Sequence, residues 1–210
     1  MNYNELYNEV KSAINYDTCE VSFYAMIKLL DKLKEKAINE SAKEAGDNIR
    51  LKHAKNILKT NKKSSRQVLT KAIIRDDYQV FTDSYIGFRL SNHITGLDTH
   101  DDQNMINGYP KLENIMKQSY DNAKYEITLN VLDIKNRLAT VEKDGHIDIE
   151  LNEIEKARFS KKNMEAIMYV LGYSKNDDNI TLYYKNNISA FYVKEKNGDG
   201  DGIILPIRVE

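Results

Sequence analysis

The chain has 210 residues and a formal net charge of -1, with 41% hydrophobic and 30% charged residues. This composition is typical of a soluble globular protein, and it excludes chain-long disorder and a bulk-charge coat on nucleic acid. No apolar run approaches the roughly 20 residues that span a bilayer, and the single cysteine, Cys19, excludes an intrachain disulfide and a multi-cysteine zinc site. We expect a cytoplasmic protein that binds no membrane and needs no cofactor.

Residues 1–46 are predicted to form a helical segment that precedes the rest of the fold. Apolar residues recur there every three or four positions, around Leu6 and again over 21–37, which is the period of an amphipathic helix. A third helix is expected to begin after Asp47 and to run to about Lys62. The Asp47 carboxylate can accept the unpaired amide hydrogens of its first turn.

The third helix is the centre of the strongest charge asymmetry in the chain. No acidic residue occurs between Asn48 and Arg75, whereas lysine and arginine are frequent there. Such a helix suits the phosphate backbone of DNA, because each cation near a phosphate releases condensed counterions. The alternative is a solvated helix face that only keeps the protein soluble. The candidate DNA-contacting residues are Arg50, Lys52, Lys55, Lys59, Lys62, Lys63 and Arg66.

The sequence period then changes to that of strands. Three short β-branched and aromatic runs, over 68–74, 78–82 and 85–90, are separated by turn residues and predict a three-stranded meander. Residues 91–110 are polar and show no convincing period, and we expect a linker over 91–124. Long loops of this kind are often functional.

The second half, 125–210, repeats this order. Its predicted elements are strands over 125–129 and 146–151, a helix over 131–141, a helix that begins at Ser160, and strands over 180–184, 190–194 and 203–209. A helix followed by three strands therefore occurs twice, first in 47–90 and again after Ser160. We predict a pseudo-symmetric α+β fold with two domains, 1–46 and 47–210.

Three segments resemble the bacterial DNA polymerase III beta sliding clamp family. Residues 80–90 resemble the clamp strand that ends on Thr-Asp-Gly-His-Arg-Leu, with Ser84 and Tyr85 in place of Gly and His. Residues 108–113 are similar to the Phe-Pro-Asp-Tyr linker before the last clamp domain, and 159–209 to the final helix and the closing Met-Pro-Met-Arg strand. A full clamp subunit has three domains, so the resemblance suggests a shortened relative from a phage or mobile element.

The resemblance implies a DNA clamp-like domain of two helix-plus-β-meander halves without catalytic residues. Clamps encircle DNA with basic helices facing the duplex, and peptide tails of replication proteins dock in an apolar groove. Duplex DNA and a replication-protein peptide are thus the implied partners. Several copies would have to assemble, since one clamp-like domain cannot enclose a duplex. The positions that match the groove are Thr82, Ser84, Tyr85, Leu205, Pro206 and Ile207.

Two alternatives stay open at this point. The groove positions can instead pack the core between the two meanders. The protein can also be a structural, oligomerisation or adaptor protein that uses the clamp fold as a scaffold without binding DNA, with its N-terminal helices as the assembly surface.

No catalytic or metal-binding residue is predicted. The sequence contains no recognisable phosphate loop and no nucleophile elbow. Residues 197–202 imitate the first half of a calcium loop, but Arg208 occupies the twelfth position, where a bidentate Glu is required.

Overall fold

The computed structural model describes residues 3–13, 23–61 and 66–208, which form a mixed α+β fold. The helices are α1 Tyr3–Ala13, α2 Phe23–Glu44, α3 Asn48–Asn61, α4 Gln103–Asn107, α5 Leu112–Asp121, α6 Val131–Ala139 and α7 Lys161–Val170. The strands are β1 Ile73–Arg75, β2 Tyr78–Thr82, β3 Ile86–Leu90, β4 Tyr125–Asn130, β5 His146–Glu150, β6 Lys156–Ser160, β7 Asn179–Tyr184, β8 Phe191–Lys194 and β9 Asp201–Ile204.

Seven of these strands form one antiparallel sheet in the order β1-β2-β3-β9-β8-β7-β4. The meander β1-β2-β3 and the meander β7-β8-β9 meet where β3 pairs with β9, with Ile86 opposite Ile204. Each meander follows a helix, α3 or α7, and these two helices pack against each other. The predicted arrangement of two helix-plus-meander halves behind an N-terminal helical segment is therefore confirmed.

The sheet separates two hydrophobic clusters, because alternate residues of a strand point to opposite faces. In β8, Phe191 and Val193 belong to the main cluster, which also contains the apolar sides of α3 and α7. Tyr192, between them, belongs to the second cluster, together with Leu112 and Met116 of α5. Helices thus cover both faces of the sheet.

The second half of α2 packs onto the body of the protein. Ala42 is fully buried and Ile38 packs against the main cluster. The helix ends at Glu44, and Gly46, two residues later, has a φ of 76°, the left-handed conformation common after a helix. Helix α1 lies along α2, and the Tyr3 amide donates to Glu40 Oε2 at 3.0 Å. A domain boundary at residue 46 stays a prediction.

The predicted strand over 68–74 is wrong in its first part. Gln67–Thr70 form a 3-10 helix, and strand pairing begins only at Ile73. The side-chain amide of Asn61 donates to the carbonyl oxygens of Leu69 at 2.7 Å and Thr82 at 2.9 Å. These hydrogen bonds between distant segments stabilise the 3-10 helix. The β-propensity of the residues gave no indication of it.

Three further differences concern the linker and the second half. The predicted linker 91–124 contains α4 and α5, and α5 carries a buried apolar side. Strand β6 was not predicted; it pairs with β5 and ends at Ser160, the N-cap residue of α7. The last predicted strand, 203–209, ends at Ile204; of the described residues after it, only Ile207 forms a bridge, to Arg158, and residue 209 lies outside the described residues.

Candidate functional site

A groove of about 530 Å³ lies between the β2–β3 turn, the first turn of α7 and the segment that follows β9. Its lining residues are Thr60, Asp83, Tyr85, Ser160, Lys162, Asn163, Leu205, Pro206, Ile207 and Arg208. Four sequence-predicted residues, Tyr85, Leu205, Pro206 and Ile207, therefore line a common surface. The chain brings them together because β3 pairs with β9.

The turn between β2 and β3 fixes Tyr85 in the groove wall. Asp83 Oδ1 accepts hydrogen bonds from the amides of Tyr85 at 3.0 Å and Ile86 at 3.1 Å. Thr82 Oγ1 donates to the Ile86 carbonyl at 2.7 Å and accepts from the Ser84 amide at 3.0 Å. This network leaves Tyr85 66% exposed. An exposed aromatic side chain on a rigid turn is well suited to contact a ligand.

Thr82 and Ser84, also predicted as groove residues, do not line it. Thr82 is buried, and its hydroxyl stabilises the β2–β3 turn by a hydrogen bond to the Ile86 carbonyl. Ser84 is exposed, and its hydroxyl accepts from Arg66 Nη1 at 2.9 Å. Its φ of 81° lies in the left-handed region, which non-glycine residues rarely adopt. The position where the clamp pattern has Gly therefore has the backbone conformation that favours Gly.

The opposite wall is the segment after β9. The Leu205 amide donates to the Tyr85 carbonyl at 2.9 Å, and the Ile207 amide donates to the Arg158 carbonyl at 2.6 Å. Pro206 lies between these two bonds and has no amide hydrogen to offer. Ile207 remains 44% exposed, whereas Leu205 and Pro206 are half-buried. The groove thus has fixed walls with exposed apolar surface.

Two cations border the groove, and sequence reasoning missed both. The Lys162 ammonium hydrogen-bonds Thr60 Oγ1 and lies 3.8 Å from Asp83 Oδ2, and its side chain remains 40% exposed. Arg208 is exposed and makes no hydrogen bond or ion pair with the residues that the structure describes. Neither residue has a sequence pattern of its own, because its place at the groove depends on the fold.

The predicted DNA-contacting residues occupy different environments. On α3, Lys52 and Lys59 are exposed and Lys55 is half-buried. Lys55 and Lys59 also line a cleft of about 250 Å³ beside α2. The carboxylates that share this cleft are Asp31, Glu35 and Asp98. Arg66 is exposed and bonds the Ser84 hydroxyl. Lys62 and Lys63 lie outside the described residues.

Arg50, by contrast, is part of an internal network. Its guanidinium donates to four oxygens: Asp47 Oδ1 at 3.2 Å, Glu195 Oε1 at 3.1 Å, and the carbonyls of Val170 at 3.0 Å and Asn92 at 2.8 Å. A phosphate would have to replace these partners. The predicted capping residue Asp47 directly precedes α3; its carboxylate accepts hydrogen bonds from the Arg50 guanidinium and the Thr95 amide.

His53 adds no charge to α3 at neutral pH. Burial and the nearby Lys52 ammonium lower the pKa of His53 from its ordinary 6.5 to about 4. Its ring stacks on Tyr169 of α7, with ring centres 4.7 Å apart. His53 is therefore a neutral ring that packs between α3 and α7.

Other kinds of site find little support in the described part of the chain. There, no group of three His, Cys, Asp or Glu residues is placed to hold a metal ion. In the calcium-like segment, the Asp201 carboxylate is bound by Arg89 at 2.9 Å and by the Tyr192 hydroxyl at 3.3 Å. Among the same residues, no helix has the length and apolarity that a membrane crossing requires.

No family model and no curated protein matches the chain. The chain is similar in structure to solved bacterial beta clamps, at low sequence identity. The Helicobacter pylori beta clamp in complex with 3,4-difluorobenzamide is 11% identical, with 77% of this chain and 63% of the clamp covered and a TM-score of 0.49. The H. pylori clamp bound to a DNA ligase peptide is 11% identical over 76% of this chain and 63% of the clamp, with a TM-score of 0.48. The Bacillus subtilis DNA polymerase sliding clamp is 15% identical over 78% of this chain and 63% of the clamp, with a TM-score of 0.45.

The chain therefore spans less than two thirds of the length of these clamps. Likeness at this level assigns no function to the chain.

Proposed function

We propose that the protein is a non-catalytic, clamp-like docking protein that binds a short apolar peptide of a replication protein in the groove. The supporting observation is the convergence of Tyr85, Pro206 and Ile207 on one surface with fixed walls and exposed apolar atoms. The H. pylori clamp binds a DNA ligase peptide, which suggests a peptide of that class. Origin from a phage or mobile element, expected from the sequence, belongs to the same proposal.

The groove has the physical properties that peptide docking needs. Covering apolar surface contributes about 25 cal/mol per Å². Walls that are already fixed by hydrogen bonds lose little conformational entropy when a ligand binds. Tyr85 is the expected main contact, because aromatic residues at the centre of an interface often dominate its binding energy.

Peptide titration tests this proposal. A fluorescently labelled DNA ligase peptide of the kind bound by the H. pylori clamp is titrated with the protein, and anisotropy is recorded. We expect saturable binding that Tyr85→Ala and Ile207→Asp each weaken by about tenfold, as for central interface residues. Ile154→Asp is the matched control, because Ile154 is 91% exposed in the β5–β6 loop, outside the groove.

Two results would contradict peptide docking. One is the absence of saturable binding to the wild-type protein. The other is equal binding by the wild type, Tyr85→Ala and Ile207→Asp, since the peptide would then bind elsewhere.

Non-specific contact with duplex DNA is a second candidate function. Its supporting observation is the charge of the adjacent helices α3 and α7, which carry six cations and one carboxylate, Glu165. The cations are Arg50, Lys52, Lys55, Lys59, Lys161 and Lys162. Arg50 is occupied internally, so the exposed Lys52 and Lys59 are the main proposed contacts.

DNA binding is tested with a labelled 30-base-pair duplex at several salt concentrations. We expect affinity to fall steeply between about 50 and 200 mM salt, and Lys52→Glu with Lys59→Glu to remove most of it. The matched control is Lys117→Glu with Lys124→Glu, at exposed lysines in and just after α5. If the two double variants bind alike, the α3 contact is wrong.

Size-exclusion chromatography with light scattering of the same samples tests the alternative that the protein is a scaffold or oligomerisation protein. Self-association without DNA or peptide binding would support a scaffold or oligomerisation protein. A discrete oligomer that co-elutes with DNA would support assembly around the duplex.

A further inference from the structure

The groove is apolar along its walls and positively charged at its border. Lys162 from the first turn of α7 and Arg208 from the segment after β9 both line it. The two cations come from separate parts of the chain, whereas Tyr85, Pro206 and Ile207 form the apolar surface beside them. A ligand that fills this groove therefore contacts apolar atoms and at least one cation together.

Among the described residues that line the groove, one carboxylate, Asp83, offsets this charge only in part. Asp83 is buried, and its Oδ1 accepts the amides of Tyr85 and Ile86. Its Oδ2 lies 3.8 Å from the Lys162 ammonium, near the limit for an ion pair. Arg208 makes no ion pair with any described residue. Within the part of the groove that the structure describes, the border thus retains positive charge that a ligand can neutralise.

We infer that the groove selects peptides with an acidic side chain next to the apolar residues that occupy it. This inference rests on the proposed docking function and adds the partner's charge pattern to it. Lys162 and Arg208 are the residues that would recognise the carboxylate. The carboxylate would gain from its position beside apolar walls, since partial exclusion of water strengthens charge–charge attraction.

The size of the effect follows from the exposure of the two cations. Exposed ion pairs are weak, and salt screens them. Two cations beside a partly dehydrated carboxylate should make a peptide with Glu bind about fivefold to tenfold more tightly than the same peptide with Gln at low salt. The preference should fall below about twofold at 1 M salt, where the screening length is only about 3 Å.

The test compares three versions of the DNA ligase peptide that carry Glu, Gln or Lys beside its apolar residues. All three are amidated, so that a terminal carboxylate cannot substitute for the side chain, and a version with Gln and a free terminus measures that contribution separately. Each is titrated with the wild type, Lys162→Gln, Arg208→Gln and the double variant. Lys185→Gln, at an exposed lysine after β7 and outside the groove, is the control.

We expect the wild type and the control to bind in the order Glu, Gln, Lys. In the double variant, the Glu and Gln peptides should bind within about twofold of each other. Gln in place of Lys or Arg keeps part of the aliphatic side chain, so packing in the groove changes little. A general loss of binding would weaken the Glu and Gln peptides alike and would leave the ratio of their affinities unchanged.

The outcomes separate the two proposals. If all three peptides bind the wild type equally while Tyr85→Ala abolishes binding, the charge preference is wrong and docking stands. If none binds, docking itself fails, and with it the preference. If the Glu preference persists in the double variant, or if only the free terminus matters, Lys162 and Arg208 do not recognise an acidic side chain.

Discussion

The Arg50 guanidinium lies 3.1 Å from Glu195 Oε1, and this ion pair joins helix α3 to the residue that follows β8. Glu195 is buried and also accepts hydrogen bonds from the amides of Ser91 and Gly200. Arg50 thus holds a buried carboxylate in place between the two halves of the protein. This structural role distinguishes Arg50 from the other cations of α3.

Replacing Arg50 should therefore reduce stability. Arg50→Ala leaves the Glu195 carboxylate buried without its cation, and we expect a loss of about 2–4 kcal/mol in the free energy of unfolding. Urea unfolding measures it, and Lys52→Ala is the control, because Lys52 is exposed on the same helix. A change below about 0.5 kcal/mol, the usual range for surface substitutions, would contradict this role.

Because the backbone of Ser84 is left-handed, we expect this position to tolerate glycine but not a β-branched residue. Ser84→Gly should change the free energy of unfolding by less than about 0.5 kcal/mol, because relief of strain and loss of chain entropy oppose each other. Ser84→Val should cost about 1–2 kcal/mol, since a β-branched residue is strained at a φ of 81°. Thermal unfolding of both variants is the measurement, and equal stability of Val and Gly would refute the conformation.

The lowered pKa of His53 predicts a loss of stability in mild acid. The unfolded chain takes up the proton near pH 6.5 and the folded protein only near pH 4, so stability is complete above about pH 6.5 and falls as the pH decreases towards 4. Allowing for solvent screening of this partly exposed ring, we expect a loss of about 1–2 kcal/mol. His53→Phe keeps an aromatic ring beside Tyr169 and should remove this part of the pH dependence, measured by urea unfolding at pH 7 and 4.5. If His53→Phe leaves the pH dependence of the free energy of unfolding unchanged, that dependence arises from other groups.

Helix α5 should contribute strongly to stability although the sequence suggested a linker. Met116 is fully buried against the second face of the sheet. Met116→Ala should cost about 2–4 kcal/mol through lost burial and a cavity. Lys117→Ala, on the exposed side of α5, is the control. Equal unfolding midpoints in urea would show that α5 is not firmly packed.

The sequence predicted best the elements whose residues have a clear period. Helix α3 and strand β5 fit this description, since their apolar residues recur at about 3.6 and 2 positions. Helix α5 was missed although Leu112, Ile115 and Met116 recur at helical spacing, because the resemblance of residues 108–113 to a clamp linker favoured a loop. Strand β6 depends on pairing with β5, a contact that short-range patterns do not encode.

In the groove, too, residues within a recognisable motif were predicted, whereas residues that the tertiary fold brings there were not. The clamp resemblance identified Tyr85 and Pro206, which the structure brings together, and their role in binding stays a prediction. It also included Thr82, which the fold uses inside the turn. Lys162 and Arg208 were not identified, because their positions depend on the start of α7 and on the bridge from Ile207 to Arg158.

The pairing of β3 with β9 has a consequence for biosynthesis. Strand β9 leaves the ribosome after the other strands of the sheet, so the first meander must wait for its central partner until synthesis has passed Ile204. Distant pairing of this kind slows folding and exposes strand edges in the meantime. The nascent protein is therefore expected to depend on chaperones during translation, and truncation before β9 should yield an aggregating fragment and no smaller folded domain.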